Sequence, residues 1–352
     1  MCETMSHVDF ERLQAAEPKW YLGYSDNTNM TYLLATICDT ASVYGPCAAA
    51  FGMEPWHASL KDAFGILTGE TKEVHGYDKW EKESLKNEEQ PLLPYNTTES
   101  RVLKKYLGRQ TAEEEPEIRF SGRLLGGCMD CLVNLLGTRF DKTQDFLEKY
   151  KEDGIIWFLE ACDLNVFAIR RAMWQMEEAG WFQYVKGFLI GRPLCFGQEM
   201  MGLDQYQAVL AVAGEKNVPV IMDVDLGHLA PMMPIVTGSV AAVLLAAAMQ
   251  LQFAYAAGII TLLTIQDTKK ETVRITAKRM IIFVIMTIYI ELEDKTDYTG
   301  SCFDELDAML VNLKKEALRY MNNHLITEDD YYYEYMQMSL QNKITWKPCC
   351  RS

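Results

Sequence analysis

Residues 154–222 alternate short apolar runs with helical stripes, and this rhythm constrains the fold more than any other feature of the chain. The apolar runs are 154–159, 185–190 and 218–222. Between them, one helix is expected from the stripe Val166, Ile169, Met173 and Met176, and a second near residues 205–212 after the capping residue Asp204. Strands that alternate with helices form a parallel sheet with covering helices, so we expect an α/β fold.

The N-terminal part of the chain shows the same pattern once. Residues 19–23 are a short apolar strand candidate that leads into Ser25, and a helix is expected from the stripe Met30, Leu33, Leu34 and Ile37. A polar, proline-containing stretch then separates the two blocks. At 352 residues the chain is long for one core. We therefore predict an N-terminal domain over residues 1–95, a linker over 96–117, a C-terminal domain over 118–257 and a tail over 258–352.

The charge and composition of the chain bear on its partners and its location. The formal net charge is −15 and the isoelectric point is near 4.9, with no basic patch, which argues against a nucleic-acid partner. The first twelve residues carry three acidic residues and lack the apolar core of a signal peptide, so we expect a cytoplasmic protein. Its ten cysteines are then expected to be reduced thiols. A homodimer is one option for the oligomeric state, which the sequence leaves open.

Residues 229–266 contain no Asp, Glu, Lys or Arg, which raises the question of a membrane span. Pro231, Pro234, Gln250, Gln252 and two glycines interrupt the stretch, and the alternation of glutamines with apolar residues over 249–255 favours a strand. A second apolar run, 280–292, is too short to span a bilayer. We expect no membrane segment, and the tail beyond residue 257 carries no functional signal.

Cys128 and Cys131 form a C-x-x-C motif, which is used in redox pairs and in zinc sites. A zinc site needs a second pair of ligands, and the neighbouring Cys349 and Cys350 have the wrong spacing to supply one. We therefore predict no metal and no cofactor, with these cysteines as ordinary thiols.

Three polar residues, Ser25, Glu160 and His228, follow predicted strands. In open α/β sheets that edge is where ligands bind. A serine hydroxyl needs a base within hydrogen-bond reach, histidine can be that base, and an acidic residue can fix the imidazole tautomer. The sequence therefore predicts a catalytic triad, with the backbone N–H of Asp26 as a donor to the oxyanion. On spacing alone, a solvated Glu160 and a core or capping His228 remain alternatives.

The residues around this triad resemble the motifs of the serine LD-carboxypeptidase family, which includes the microcin C immunity-type peptidases. Gly23-Tyr24-Ser25-Asp26 is similar to the nucleophile motif, Phe158-Leu159-Glu160 to the strand with the glutamate, and Gly227-His228 to the histidine motif. Other segments resemble the family in the same order: Tyr44-Gly45-Pro46, Leu125-Gly126-Gly127, Leu136-Gly137-Thr138, Lys186-Gly187-Phe188 and Gly191-Arg192. The resemblance covers roughly residues 8–257 and is closer to the microcin-immunity branch.

The resemblance implies a serine peptidase without a metal. It implies an N-terminal α/β domain with the serine, a C-terminal α/β domain with a β-rich part, the glutamate and the histidine, and an active site in the cleft between them. Family members cut amide bonds near a free carboxylate, in murein peptides or in peptidyl or aminoacyl nucleotides. Only 24 residues precede Ser25, fewer than in the family. We therefore expect a truncated N-terminal sheet and an oxyanion hole that lacks one donor.

Two further residues are candidate substrate contacts. Trp80 is placed to stack on a nucleobase, as an aromatic residue does in the microcin-immunity branch, or to anchor its own loop. Arg192 is placed to hold a substrate carboxylate, or to pair with a local acid.

Two rival functions stay open at this stage. A conventional α/β-hydrolase esterase shares the order serine, acid, histidine, but its G-x-S-x-G motif would need glycine where this chain has Asn27. A catalytically impaired binding homologue of the family would keep the cleft without an intact oxyanion hole.

Overall fold

The computed structural model of the protein describes residues 1–246 and 249–254. The α-helices are α1 Phe10–Ala15, α2 Thr28–Thr36, α3 Ala58–Thr68, α4 Met129–Leu135, α5 Thr143–Lys149, α6 Val166–Glu178 and α7 Gln205–Ala213. The strands are β1 Ser42–Tyr44, β2 Glu73–His75, β3 Lys79–Trp80, β4 Glu99–Ser100, β5 Lys104–Leu107, β6 Gln110–Thr111, β7 Ile118–Cys128, β8 Ile155–Glu160, β9 Val185–Gly191, β10 Pro219–Val224, β11 Ile235–Thr237, β12 Val240–Leu245 and β13 Met249–Ala254. Short 3₁₀ helices cover Cys2–His7, Ser25–Asn27, Ala48–Gly52 and Gly214–Lys216.

A nine-stranded mixed sheet organises the described residues, in the order β2-β13-β12-β7-β8-β9-β10-β5-β6. The four central strands, β7 to β10, are parallel, and the strands on both sides pair antiparallel. Helices α6 and α7 connect the parallel strands in the predicted alternation. The predicted α/β fold class is therefore confirmed.

Strand β8 lies at the centre of the sheet and is buried on both faces, as its continuous apolar sequence predicts. Ile155, Trp157 and Leu159 face a core formed with the helices, including α2, α6 and α7. Ile156 and Phe158 face a second core that contains residues of β1, α3, β11 and β12. Because both faces are packed, the polar end of β8 at Glu160 is also held inside the protein.

Two glycines let β7 approach its neighbours closely. A Cβ at Gly126 would lie 1.8 Å from the carbonyl oxygen of Phe158 on β8, and a Cβ at Gly127 would lie 2.6 Å from the Thr28 side chain at the start of α2. The Thr28 hydroxyl accepts a hydrogen bond of 2.9 Å from the backbone N–H of Cys128. The end of β7 is thereby tied to the segment that follows Ser25.

The N-terminal strands are short. In place of the predicted strand over 19–23, the structure has a parallel bridge between Leu22 and Val43, and β1 pairs antiparallel with β11 from the C-terminal part of the chain. Residues 96–117, expected to be a linker, contribute β5 and β6 to the large sheet and β4 to a pair with β3. The division of the chain into these four segments stays a prediction.

The uncharged stretch that begins at residue 229 forms β11, β12 and β13 in the described residues. Across 1–246 and 249–254, no helix is both long enough and apolar enough to cross a bilayer. The run 280–292 and the predicted tail 258–352 lie outside the described residues.

Candidate active site

Ser25 begins the 3₁₀ helix that leads into α2, and its backbone has a φ of 63°, in the left-handed region. A residue other than glycine pays about 1 to 2 kcal/mol for this conformation. Neighbouring bonds hold the turn: the Asn27 amide donates to the Tyr24 carbonyl at 3.1 Å, and the Tyr21 hydroxyl donates to Asn27 at 2.6 Å. The strained turn therefore has specific support around its serine.

Glu160 ends β8, and its side chain is only 1% exposed. A carboxylate buried to this degree requires hydrogen-bond donors on its oxygens. Its Oε1 accepts a bond of 2.6 Å from the hydroxyl of Tyr44, and its Oε2 lies 2.9 Å from Nδ1 of His228. Both oxygens are therefore engaged.

His228 lies on the loop after β10, and its ring joins the other two residues. Its Nε2 lies 2.8 Å from Oγ of Ser25, while its Nδ1 faces Glu160. The ring of Tyr24 lies 5.1 Å from the imidazole, centroid to centroid. The structure thus brings Ser25, His228 and Glu160 into one chain of hydrogen bonds, from residues far apart in sequence.

The environment of His228 favours its charged form. Burial lowers the pKa of the imidazole, but the hydrogen bond and negative charge of Glu160 raise it, and the net pKa lies above the ordinary value of 6.5. With Nδ1–H donating to Glu160, Nε2 is left as an acceptor for the Ser25 hydroxyl. This is the tautomer that a general base for a serine requires.

Asp26 follows Ser25 on the exposed side of the turn. Its carboxylate lies 3.8 Å from the N-terminal ammonium group and accepts from the Cys131 thiol at 3.5 Å. Its backbone N–H directly follows the serine, and its role as an oxyanion donor stays a prediction.

Arg192 and Trp80 lie in a neighbouring buried cluster. The guanidinium of Arg192 donates to Asp225 at 2.5 Å and to the Asp223 carbonyl at 2.6 Å, and both side chains of the Arg192–Asp225 pair are 1% exposed. Trp80 is 6% exposed; its ring lies 5.0 Å from the guanidinium carbon and 5.0 Å from the ring of Phe196. This geometry matches the alternatives in which Arg192 pairs with a local acid and Trp80 anchors its own loop.

The C-x-x-C motif lies beneath the nucleophile turn. Cys131 donates to the carbonyl oxygen of Ser25 at 3.7 Å, and Cys128 donates to Asp130 at 3.3 Å. A hydrogen bond with Cys131 and burial raise the pKa of the Cys128 thiol. In the described residues, no group of three or more His, Cys, Asp or Glu side chains could hold a metal ion.

Tyr44 is a member of this site that was not predicted from the sequence. Tyr44 is fully buried and contacts both Glu160 and the backbone of Ser25, where the N–H donates to its hydroxyl at 3.2 Å. The only signal was the family-like string Tyr44-Gly45-Pro46, because an isolated buried tyrosine looks like any core aromatic residue.

Two family models match the segments that contain the triad. Residues 1–45 match the LD-carboxypeptidase N-terminal domain, and residues 121–243 match the LD-carboxypeptidase C-terminal domain. No curated protein matches the chain significantly.

Two other models match the C-terminal part of the chain. Residues 232–292 match aromatic acid exporter family member 1, and residues 266–344 match a putative aromatic acid exporter C-terminal domain. The first of these overlaps the LD-carboxypeptidase match over 232–243. In that overlap the structure has β11 and the first part of β12, which pair with β1 and β7 in the α/β fold.

Similar solved structures include MccF and MccF-like proteins. MccF in complex with glutamyl sulfamoyl guanosine is 18% identical, with 73% of each chain covered and a TM-score of 0.57. The microcin C7 self-immunity protein MccF in its wild-type apo state is 20% identical, with 73% of each chain covered and a TM-score of 0.58. An MccF-like protein from Bacillus anthracis str. Ames is 18% identical, covering 72% of this chain and 73% of its own, with a TM-score of 0.56. These likenesses show a shared fold.

Proposed function

We propose, on the premise that this chain belongs to the LD-carboxypeptidase family, that it is a serine peptidase that hydrolyses an amide bond in a small peptide-like substrate. One observation carries the proposal: His228 lies 2.8 Å from the Ser25 hydroxyl through Nε2 and 2.9 Å from Glu160 through Nδ1. These are the distances at which an imidazole can accept the serine proton while a carboxylate stabilises the resulting charge.

The reaction follows from these positions. Oγ of Ser25 attacks the substrate carbonyl carbon, and its proton passes to Nε2 of His228. Glu160 stabilises the imidazolium, which then gives the proton to the leaving amine as the carbon–nitrogen bond breaks. Water, deprotonated by the same imidazole, hydrolyses the acyl-enzyme and restores Ser25. The backbone N–H of Asp26 is the proposed donor to the oxyanion.

The substrate class comes from the family and from the ligands of structurally similar proteins. MccF is described in complex with glutamyl sulfamoyl guanosine and with aspartyl sulfamoyl adenosine. Together with the family's activity on murein peptides, this points to two substrates for this chain: an LD-tetrapeptide or an aminoacyl nucleotide. The substrate contacts predicted for Trp80 and Arg192 are not part of this proposal, since Arg192 is 1% exposed and paired with Asp225, and Trp80 packs against its guanidinium.

A fluorophosphonate probe tests the proposal, because it reacts preferentially with an activated serine hydroxyl to form a covalent adduct. The full chain is incubated with the probe, and Ser25→Ala is compared with the exposed-loop variant Ser84→Ala as the matched control. We expect labelling of the wild type and of Ser84→Ala, and none of Ser25→Ala. Hydrolysis of an LD-tetrapeptide and of an aminoacyl sulfamoyl adenylate is then measured with the same proteins. Unlabelled wild-type protein that cleaves neither substrate would contradict the proposal and favour a binding homologue.

A further inference from the structure

Tyr44 joins the acid and the nucleophile of the site through a single hydroxyl group. The hydroxyl donates to Oε1 of Glu160 at 2.6 Å and accepts from the backbone N–H of Ser25 at 3.2 Å. Tyr44 itself ends β1, where it pairs with Ile235 of β11, and this pairing holds its backbone in place. The hydroxyl oxygen of Tyr44 therefore links Glu160 to Ser25, two residues whose separation must stay constant for His228 to bridge them.

The protonation state of Tyr44 suits this position. Burial, followed by the negative charge of Glu160, raises the pKa of the phenol well above its ordinary value of 10.0. The hydroxyl therefore keeps its proton at neutral pH. Its proton points to Glu160, since the second bond comes from a backbone N–H and requires the oxygen as acceptor.

Packing alone does not require the hydroxyl. The ring of Tyr44 contacts the ring of Phe158 at 5.3 Å and the ring of Tyr24 at 6.5 Å, centroid to centroid. Phenylalanine would keep both contacts. The hydroxyl instead meets two polar needs: a donor for the buried carboxylate of Glu160, and an acceptor for the N–H of a serine held at a φ of 63°.

We infer that Tyr44 is a positioning residue of the triad: its hydroxyl directs the second oxygen of Glu160 to His228 and holds the Ser25 turn in its left-handed conformation. The effect of Tyr44 on the reaction rests on the proposed function. Its effect on the pKa of His228 depends only on the hydrogen bonds and can be tested separately. The hydrogen bonds of Tyr44 go to Glu160 and to the backbone N–H of Ser25, not to the Ser25 hydroxyl, so it acts through these two residues.

The Tyr44 hydroxyl also affects how strongly the Glu160 carboxylate attracts the imidazolium of His228. A donor on Oε1 draws electron density from the carboxylate and weakens its attraction for the imidazolium. Without the hydroxyl, more of the charge of Glu160 acts on Nδ1, and the charged imidazolium is favoured. The titration midpoint of His228 should therefore rise when the hydroxyl is removed.

The test is Tyr44→Phe in the full chain, with two measurements. The first is the titration of His228, followed by NMR of the histidine ring nitrogens and assigned by loss of the signal in His228→Gln. The second is the pH dependence of fluorophosphonate labelling. The matched control is Tyr206→Phe, which removes a hydroxyl that donates to the Asp223 carboxylate at 2.7 Å, outside the triad.

We expect Tyr44→Phe to raise the His228 midpoint by several tenths of a pH unit and to lower the plateau labelling rate about 10-fold to 100-fold, the range for a lost hydrogen bond to a charged group. Tyr206→Phe should change neither. A midpoint that does not rise, or a wild-type labelling rate, overturns the inference. If the midpoint rises but the wild type is not labelled at all, the proposed function fails while the hydrogen-bond role of Tyr44 stands.

Discussion

A Cβ at Gly227 would lie 2.7 Å from Oε2 of Glu160, the oxygen that faces His228. Gly227 also has a φ of 97°, which L side chains rarely adopt. Position 227 therefore favours glycine for two reasons: its backbone has a positive φ, and the Glu160 carboxylate leaves no space for a Cβ.

Gly227→Ala should displace either Glu160 or the His228 loop. We expect labelling at Ser25 to fall at least about 10-fold, because a lost or lengthened bond to a charged group costs about 1.5 to 3 kcal/mol. Gly69→Ala is the matched control, since Gly69 has a φ of 77° with no atom within 4 Å of the added Cβ. It should lose stability but not labelling, as measured by urea unfolding and probe kinetics. Equal labelling losses in the two variants would contradict the steric argument.

The left-handed conformation of Ser25 makes a prediction about stability. Ser25→Gly and Ser25→Ala both remove the hydroxyl, but only glycine adopts a φ of 63° without strain. We expect Ser25→Gly to have a free energy of unfolding about 1 kcal/mol higher than Ser25→Ala in urea titrations. A Ser25→Ala variant that is as stable as Ser25→Gly would show that the turn is not strained.

The raised pKa of His228 sets the pH dependence of labelling. The base must be neutral, so a pKa above 6.5 means that labelling is lost as the pH falls through a midpoint above that value. Glu160→Gln removes the charge that raises this pKa, while burial continues to lower it. The midpoint of Glu160→Gln should therefore move to lower pH, and its plateau rate should fall. If the labelling midpoint of Glu160→Gln equals that of the wild type, Glu160 does not raise the pKa of His228.

For the buried pair of Arg192 and Asp225, we expect the loss of one partner to reduce the free energy of unfolding more than the replacement of both. Asp225→Asn leaves the guanidinium buried without its charged partner, and we expect a loss of about 3 to 5 kcal/mol in the free energy of unfolding. A double variant, Arg192→Met with Asp225→Leu, should be less destabilised than Asp225→Asn, because it buries no charge. For comparison, Glu215→Gln breaks an exposed pair with Arg109 and should cost less than about 0.5 kcal/mol. Equal costs for Asp225→Asn and Glu215→Gln would rule out a desolvated pair.

The centre of the fold was predictable because its elements are buried in regular patterns. β8, α6, β9, α7 and β10 follow the alternation of apolar runs and helical stripes in the sequence. The neighbouring strand β7 was not predicted, since Arg119, Ser121 and Arg123 interrupt its apolar pattern and two glycines stand near its end. The role of these glycines, which is to allow close contact between β7 and β8, depends on the tertiary position of Gly126 next to Phe158.

The site was predictable where chemistry limits the residue types. Ser25, Glu160 and His228 were predictable because they follow predicted strands and supply three distinct roles. Tyr44 was not, since its position depends on the pairing of β1 with β11, two short strands far apart in sequence. The burial of Arg192 beside Asp225 likewise depends on tertiary packing, which no local pattern encodes.

The most direct test of the central claim is to locate the probe adduct. The full chain is labelled with a fluorophosphonate, digested, and analysed by tandem mass spectrometry. We expect one adduct, on Oγ of Ser25, which is lost in His228→Ala. An adduct on another residue, or labelling that persists in His228→Ala at the wild-type rate, would contradict it.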